Sequence, residues 1–168
     1  EGGQLPKPMV DVGGRPLMPR VMDVHAAFGH TDFIVAAGQQ SLAIKQFFTS
    51  YHLMANDVSV AIDTGEVRIG TDHGVGWKVS VVDTGLYSSN SARLSLLRQR
   101  IGPGPFMVSH AEGLGNIDIR DMLDFHRSHG KVATVAAVSP PARSGHLEML
   151  DARVTGFRRT DRRQETWL

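Results

Sequence analysis

The feature that most constrains this chain is an alternation of two periodicities. Phe33-Ile34-Val35-Ala36-Ala37 and Phe106-Met107-Val108-Ser109 read as buried strands, and Trp77-Lys78-Val79-Ser80-Val81-Val82 and Val132–Val138 read as strands. Between them lie stretches with helical spacing: Leu17 to Phe28 with Gly29 as its stop, Ser41 to Tyr51, a segment carrying Leu94, Leu97 and Ile101, and Ile117 to Gly130. Val58–Ile62 and Val67–Ile69, parted by Asp63-Thr64-Gly65-Glu66, read as a hairpin, and Val10-Asp11-Val12 reads as a short strand before a Gly13-Gly14 turn. Strand and helix alternating four times predict an open, mainly parallel α/β sheet with helices on both faces. In such sheets ligands bind outside the carboxyl ends of the strands, which directs attention to the exits at Gly38–Ser41, His110–Gly113 and Ser139–Gly145.

Composition narrows the function classes. The 168 residues carry 18 Lys+Arg against 17 Asp+Glu, so no overall field draws the chain to nucleic acid or anionic lipid. Zero cysteines exclude disulfides, thiolate metal sites and a thiol nucleophile. No apolar run approaches the roughly 18 residues of a membrane span. The expectation is a cytoplasmic protein without a membrane or nucleic-acid partner.

Several residues could carry chemistry. Lys7 lies between Pro6 and Pro8, so a stiff backbone aims its ammonium, which could hold a phosphate as a point charge; on spacing alone a surface lysine in a turn is the plainer reading. Glu112 leaves an apolar run between Ala111 and Gly113, a position suited to Mg²⁺, and equally suited to a loop carboxylate capping the next helix. His126 and His129 share a helix face, yet no third ligand follows at motif spacing, so no zinc site is expected. Arg153, Arg158, Arg159, Arg162 and Arg163 cluster with no interleaved aromatic platform apart from Trp167 and read as a solvated edge. No glycine-containing segment matches a Walker or Rossmann fingerprint.

Read in order, the stretches Pro6–Pro16, Trp77–Gly85, Ile117–Ile119, Phe125–Thr134 and Pro140–Arg143 resemble the bacterial glucose-1-phosphate cytidylyltransferases, within the sugar-phosphate nucleotidyltransferases. The Lys-Pro-Met-Val block is widespread among sugar nucleotidyltransferases; the Trp-Lys-Val…Val-Asp-Thr-Gly block is more specific. The resemblance implies a Rossmann-like, glycosyltransferase-A-like fold and the conversion of CTP and glucose 1-phosphate to CDP-glucose and pyrophosphate with Mg²⁺. It also implies that Lys7 contacts the reacting phosphates, that Glu112 stands where a metal-binding aspartate lies, and that Gly38 with Asn90, Ser91, Ala92 and Arg93 borders the nucleotide base. Self-association into a homo-oligomer is implied as well.

Departures from the family pattern matter equally. The family's glycine-rich loop would lie immediately before Glu1, and its later half beyond Leu168. Residues 1–168 are therefore expected to be one partial nucleotidyltransferase domain, an internal piece that does not turn over alone. Gln39-Gln40-Ser41 stands for the usual Tyr-Lys-Gly, Asn90-Ser91-Ala92 for Thr-Gly-Gly, His110-Ala111-Glu112 for Tyr-Gly-Asp, and Arg159-Thr160 for Glu-Lys. Added Cβ atoms at close-approach positions leave the choice of base open. Four departures together also motivate an alternative, a non-catalytic relative that binds a nucleotide or sugar phosphate.

Overall fold

A computed structural model describes residues 5–71, 74–137 and 146–158. The chain divides into two compact units, Glu1–Asn116 and Ile117–Leu168.

The first unit is α/β. A 3-10 turn at Lys7–Met9 leads through a bend to α1 (Leu17–Ala26), followed by β1 (Asp32–Ala37), α2 (Ser41–Thr49), α3 (Tyr51–Ala55), the hairpin β2 (Val58–Val60) and β3 (Val67–Ile69), then β4 (Lys78–Asp83) and α4 (Asn90–Ile101). β1 and β4 pair in parallel, in unbroken register from Asp32 opposite Lys78 to Ala37 opposite Asp83. A parallel pair needs a long crossover, which α2, α3 and the hairpin supply.

Alternate residues of the two strands, Phe33, Val35 and Ala37 with Val79 and Val81, pack on one hydrophobic cluster. Met9, Met18 and Met22 of the N-terminal segment and α1, and Ile44 of α2, complete it. Arg15 fastens the glycine turn to this layer: it pairs with Asp23 at 2.6 Å, donates to the Tyr51 hydroxyl at 2.9 Å, and sits 5.4 Å from the Trp77 ring centroid.

The second unit holds α5 (Ile119–His129) and the antiparallel hairpin β5 (His146–Leu150) and β6 (Arg153–Arg158). Asp118 caps α5 by accepting from the N–H groups of Arg120 and Asp121, and Gly130 ends it with φ of 61°. The β5–β6 hairpin, which the sequence reading did not foresee, turns on Asp151-Ala152 and carries a bulge opposite Glu148 and Met149.

Three expected strands are corrected. Residues 106–109 and 132–137 carry no ladder, and residue 138 lies outside the described residues. An apolar run becomes a strand only when another extended segment offers its backbone, and Phe106, Val108, Val132 and Val135 remain exposed. Val10–Val12 forms a bend, closed by a single bridge between Asp11 and Pro16. Among the described residues no helix is long and apolar enough to cross a membrane.

Asp83, the last residue of β4, straps the sheet to α2. Its carboxylate accepts from the Ser41 hydroxyl at 2.9 Å and from the Gly85 N–H at 3.0 Å. The Gly85 N–H and then the Ser41 hydroxyl hold its pKa below the ordinary carboxylate value, helped by Lys45 and Arg93 and opposed by desolvation.

Two outcomes follow from this packing. Ile44→Ala should lower unfolding free energy by about 2–4 kcal/mol in urea titrations, whereas a loss under about 1 kcal/mol would contradict the placement of α2 on the core. Because the pKa of Asp83 is lower folded than unfolded, its stabilisation is complete above the unfolded pKa and is lost as pH falls through the folded one. The gap in melting temperature between wild type and Asp83→Asn should therefore narrow as pH falls through and below the ordinary carboxylate range, and a constant gap would contradict the strap.

Candidate functional site

The exits of β1 and β4 emerge side by side, because the pairing stays in register to its last residues. Beyond β1 the chain passes Gly38 and enters α2 through Gln40, whose φ of 59° lies in the left-handed region. Beyond β4 it passes Thr84 and Gly85 and enters α4 behind Ser89, whose hydroxyl accepts from the Ala92 N–H at 3.3 Å.

Thr84 joins the two exits. It is only 2% exposed, and its N–H and its hydroxyl both donate to the Ala37 carbonyl, each at 2.8 Å. Its own carbonyl accepts from the Ser88 hydroxyl. The remaining capacity of its hydroxyl oxygen accepts from Arg93 Nη1.

The Arg93 guanidinium packs closely on Gly38. A Cβ built on Gly38 would collide with Arg93 Nη2 and stand 2.8 Å from Nη1 and 3.0 Å from Cζ. The absent side chain at position 38 is what leaves room for the guanidinium. Lys45 and Arg93 both act electrostatically on the Asp83 carboxylate, so two cations and one anion gather at these exits. Such a constellation can bind an anionic ligand at a strand exit and a helix N-terminus.

Of the residues singled out from sequence, the structure brings Gly38 and Arg93 into contact and puts Asn90, Ser91 and Ala92, all exposed, on the first turn of α4. Lys7 is exposed on its 3-10 turn. Its neighbours Leu5 and Pro6 border a shallow depression of about 280 Å³ together with Gln40, Leu42, Ala43 and Gln46. Glu112 is exposed on the turn closed by the Gly113 N–H donating to the His110 carbonyl at 3.0 Å. Lys7 and Glu112 stand outside the hydrogen-bonded group around Thr84, although Met9 and Ala111 beside them pack on the same core cluster.

Sequence reasoning gave Ser41, Asp83, Thr84 and Ser88 no role of their own, although Ser41 lies in one of the strand exits it pointed to. The signal was present in Asp83-Thr84-Gly85, small polar residues directly after an apolar run, which close the more specific block of the family resemblance and, in that reading, end a strand. The exit at Ser139–Gly145 lies wholly outside the described residues, as do Arg159, Thr160, Arg162 and Arg163.

In the second unit His126 and His129 meet through Thr134. The His129 Nδ1 accepts the Lys131 N–H at 2.9 Å, so in the neutral ring Nε2 donates to the Thr134 hydroxyl at 2.8 Å. That hydroxyl then donates to His126 Nδ1 at 2.9 Å. Among the described residues no three His, Asp or Glu side chains are grouped to hold a metal ion.

No protein-family model matches the chain. The glucose-1-phosphate cytidylyltransferase of Salmonella typhimurium is 33% identical over 153 residues, covering 90% of this chain and 60% of its own length. A probable glucose-1-phosphate cytidylyltransferase of Bacillus subtilis is 27% identical over 153 residues, with 91% and 60% covered. The mannose-1-phosphate guanyltransferase of Candida albicans is more distant, at 24% identity over 143 residues, 84% of this chain and 34% of its own. The chain thus spans about 60% of the length of the cytidylyltransferases it matches. Across nine-tenths of its own length the chain is similar to the glucose-1-phosphate cytidylyltransferases.

Proposed function

We propose that the protein containing this chain is a sugar-1-phosphate nucleotidyltransferase that joins CTP and glucose 1-phosphate into CDP-glucose and pyrophosphate. The observation that carries the reading is the junction of the β1 and β4 exits, where Gly38 and Arg93 meet beside the N-terminus of α4. The named relatives support the same chemistry, since the cytidylyl- and guanyltransferases both take their names from a nucleotide and a sugar phosphate.

In the proposed reaction a phosphate oxygen of the sugar phosphate attacks the α-phosphorus of the nucleotide. The bond from that phosphorus to the bridging oxygen breaks, and pyrophosphate leaves with the electron pair. Little covalent work falls to the protein, so alignment and charge stabilisation dominate. Lys7, held by Pro6 and Pro8, contacts the reacting phosphates as a point charge. Gly38 and the first turn of α4, Asn90 to Arg93, border the base.

Glu112, an exposed carboxylate on a tight turn, would give Mg²⁺ one hard oxygen ligand and leave the other positions to water and phosphate oxygens. When bound, Mg²⁺ would neutralise charge on the triphosphate. The longer reach of Glu compared with Asp sets where the carboxylate can meet that ion.

The test is pyrophosphate release by the whole gene product with Mg²⁺, glucose 1-phosphate and each of CTP, UTP and dTTP in turn. CTP should support release, and Lys7→Ala should lower kcat/KM by about 10²- to 10³-fold while the far-ultraviolet circular dichroism stays unchanged. Release with UTP or dTTP in place of CTP would overturn the base assignment, and silence with all three from a folded protein would favour a non-catalytic relative.

A further inference from the structure

A threonine with no assigned part in binding or chemistry occupies the centre of the candidate site. Thr84 is buried and uses every hydrogen-bonding group it has: two donors to Ala37, one carbonyl to Ser88, and one hydroxyl lone pair to Arg93. A hydroxyl has one proton, and here that proton is committed to the Ala37 carbonyl at 2.8 Å. The oxygen can therefore serve Arg93 only as an acceptor, which fixes the direction of the whole chain of bonds from α4 to β1. The same guanidinium meets Gly38, where a Cβ would displace it.

We propose that Thr84 is a positioning residue, whose hydroxyl holds the Arg93 guanidinium over Gly38 so that it meets the nucleotide already ordered. The inference rests on the proposed nucleotide site and deepens it. An arginine loses much rotamer freedom when it binds an anion, and one already held by a buried acceptor and a glycine surface loses less. The hydroxyl occupies Nη1 while its remaining donors stay available to a ligand. Serine preserves the arrangement; valine, of nearly the same shape, removes the acceptor and leaves the Ala37 carbonyl one donor short.

The experiment uses the full chain labelled with ¹⁵N, three variants and two readouts. In the absence of ligand, the Arg93 Nη–H signals of the wild type should show hindered rotation. Thr84→Ser should keep that signature, and Thr84→Val should lose it. Gly38→Ala should lose it too, by steric displacement, with Thr84 untouched; this arm holds should the valine variant fail to fold.

Titration with Mg²⁺-CTP should give a dissociation constant raised about tenfold in Thr84→Val and Gly38→Ala, and within about twofold of wild type in Thr84→Ser. Thr84→Val should add nothing to Arg93→Ala, because a positioning residue acts through the group it positions. Unchanged guanidinium signals in Thr84→Val, or full additivity with Arg93→Ala, would overturn the proposal. Wild-type protein that binds no nucleoside triphosphate would contradict the proposed function instead, and the guanidinium signals would still decide the positioning claim by themselves.

Discussion

The carbonyl of Ala37 accepts twice from Thr84, a residue 47 positions further along the chain, and the parallel pairing of β1 with β4 closes on that contact. Bringing such distant segments together costs loop-closure entropy before any ladder bond forms. The return comes from the apolar layer beneath, where Phe33, Val35 and Ala37 of one strand and Val79 and Val81 of the other cover the methionines of the N-terminal segment and Ile44. Ala37 and Thr84 are each 2% exposed, so a missing partner at either would leave a buried polar group unsatisfied.

The hydrogen-bonded group around Thr84 follows from how that pairing ends. Parallel strands deliver their carboxyl ends to the same edge, so the loop to α2 and the loop to α4 begin as neighbours. Asp83 then ties the first turn of α2 through Ser41, and Thr84 ties the first turn of α4 through Arg93. Two helix entries, one carboxylate and two cations are thereby organised by consecutive residues of one strand end. The same residues that stabilise the sheet set the geometry of the site, which is why substitutions here should affect folding and binding together.

The elements of the first unit were legible where periodicity and punctuation agreed. The spacing of Leu17, Val21 and Val24 with the Gly29 stop, and the alternation in Val58–Val60 and Val67–Ile69, appear as α1 and the β2–β3 hairpin. Gly38 and Arg93 were reached through resemblance to a family, and the structure adds that they touch. Strand status at 106–109 and 132–137 was misread because an apolar run records a preference and says nothing of whether an edge is at hand to pair with it. Thr84 was passed over for a different reason. A threonine after a strand looks like a turn residue, and only the three-dimensional register reveals that its hydroxyl faces a carbonyl 47 positions earlier.

The central claim is that the paired exits of β1 and β4, with the first turn of α4, form the nucleotide-binding edge. It is tested most directly by titrating the ¹⁵N-labelled protein with Mg²⁺-CTP and following backbone amide shifts. The account predicts saturable shifts concentrated at Gly38, Ser41, Thr84, Gly85 and Asn90 to Arg93. Saturable shifts confined to α5 or the β5–β6 hairpin, with those residues unmoved, would contradict it.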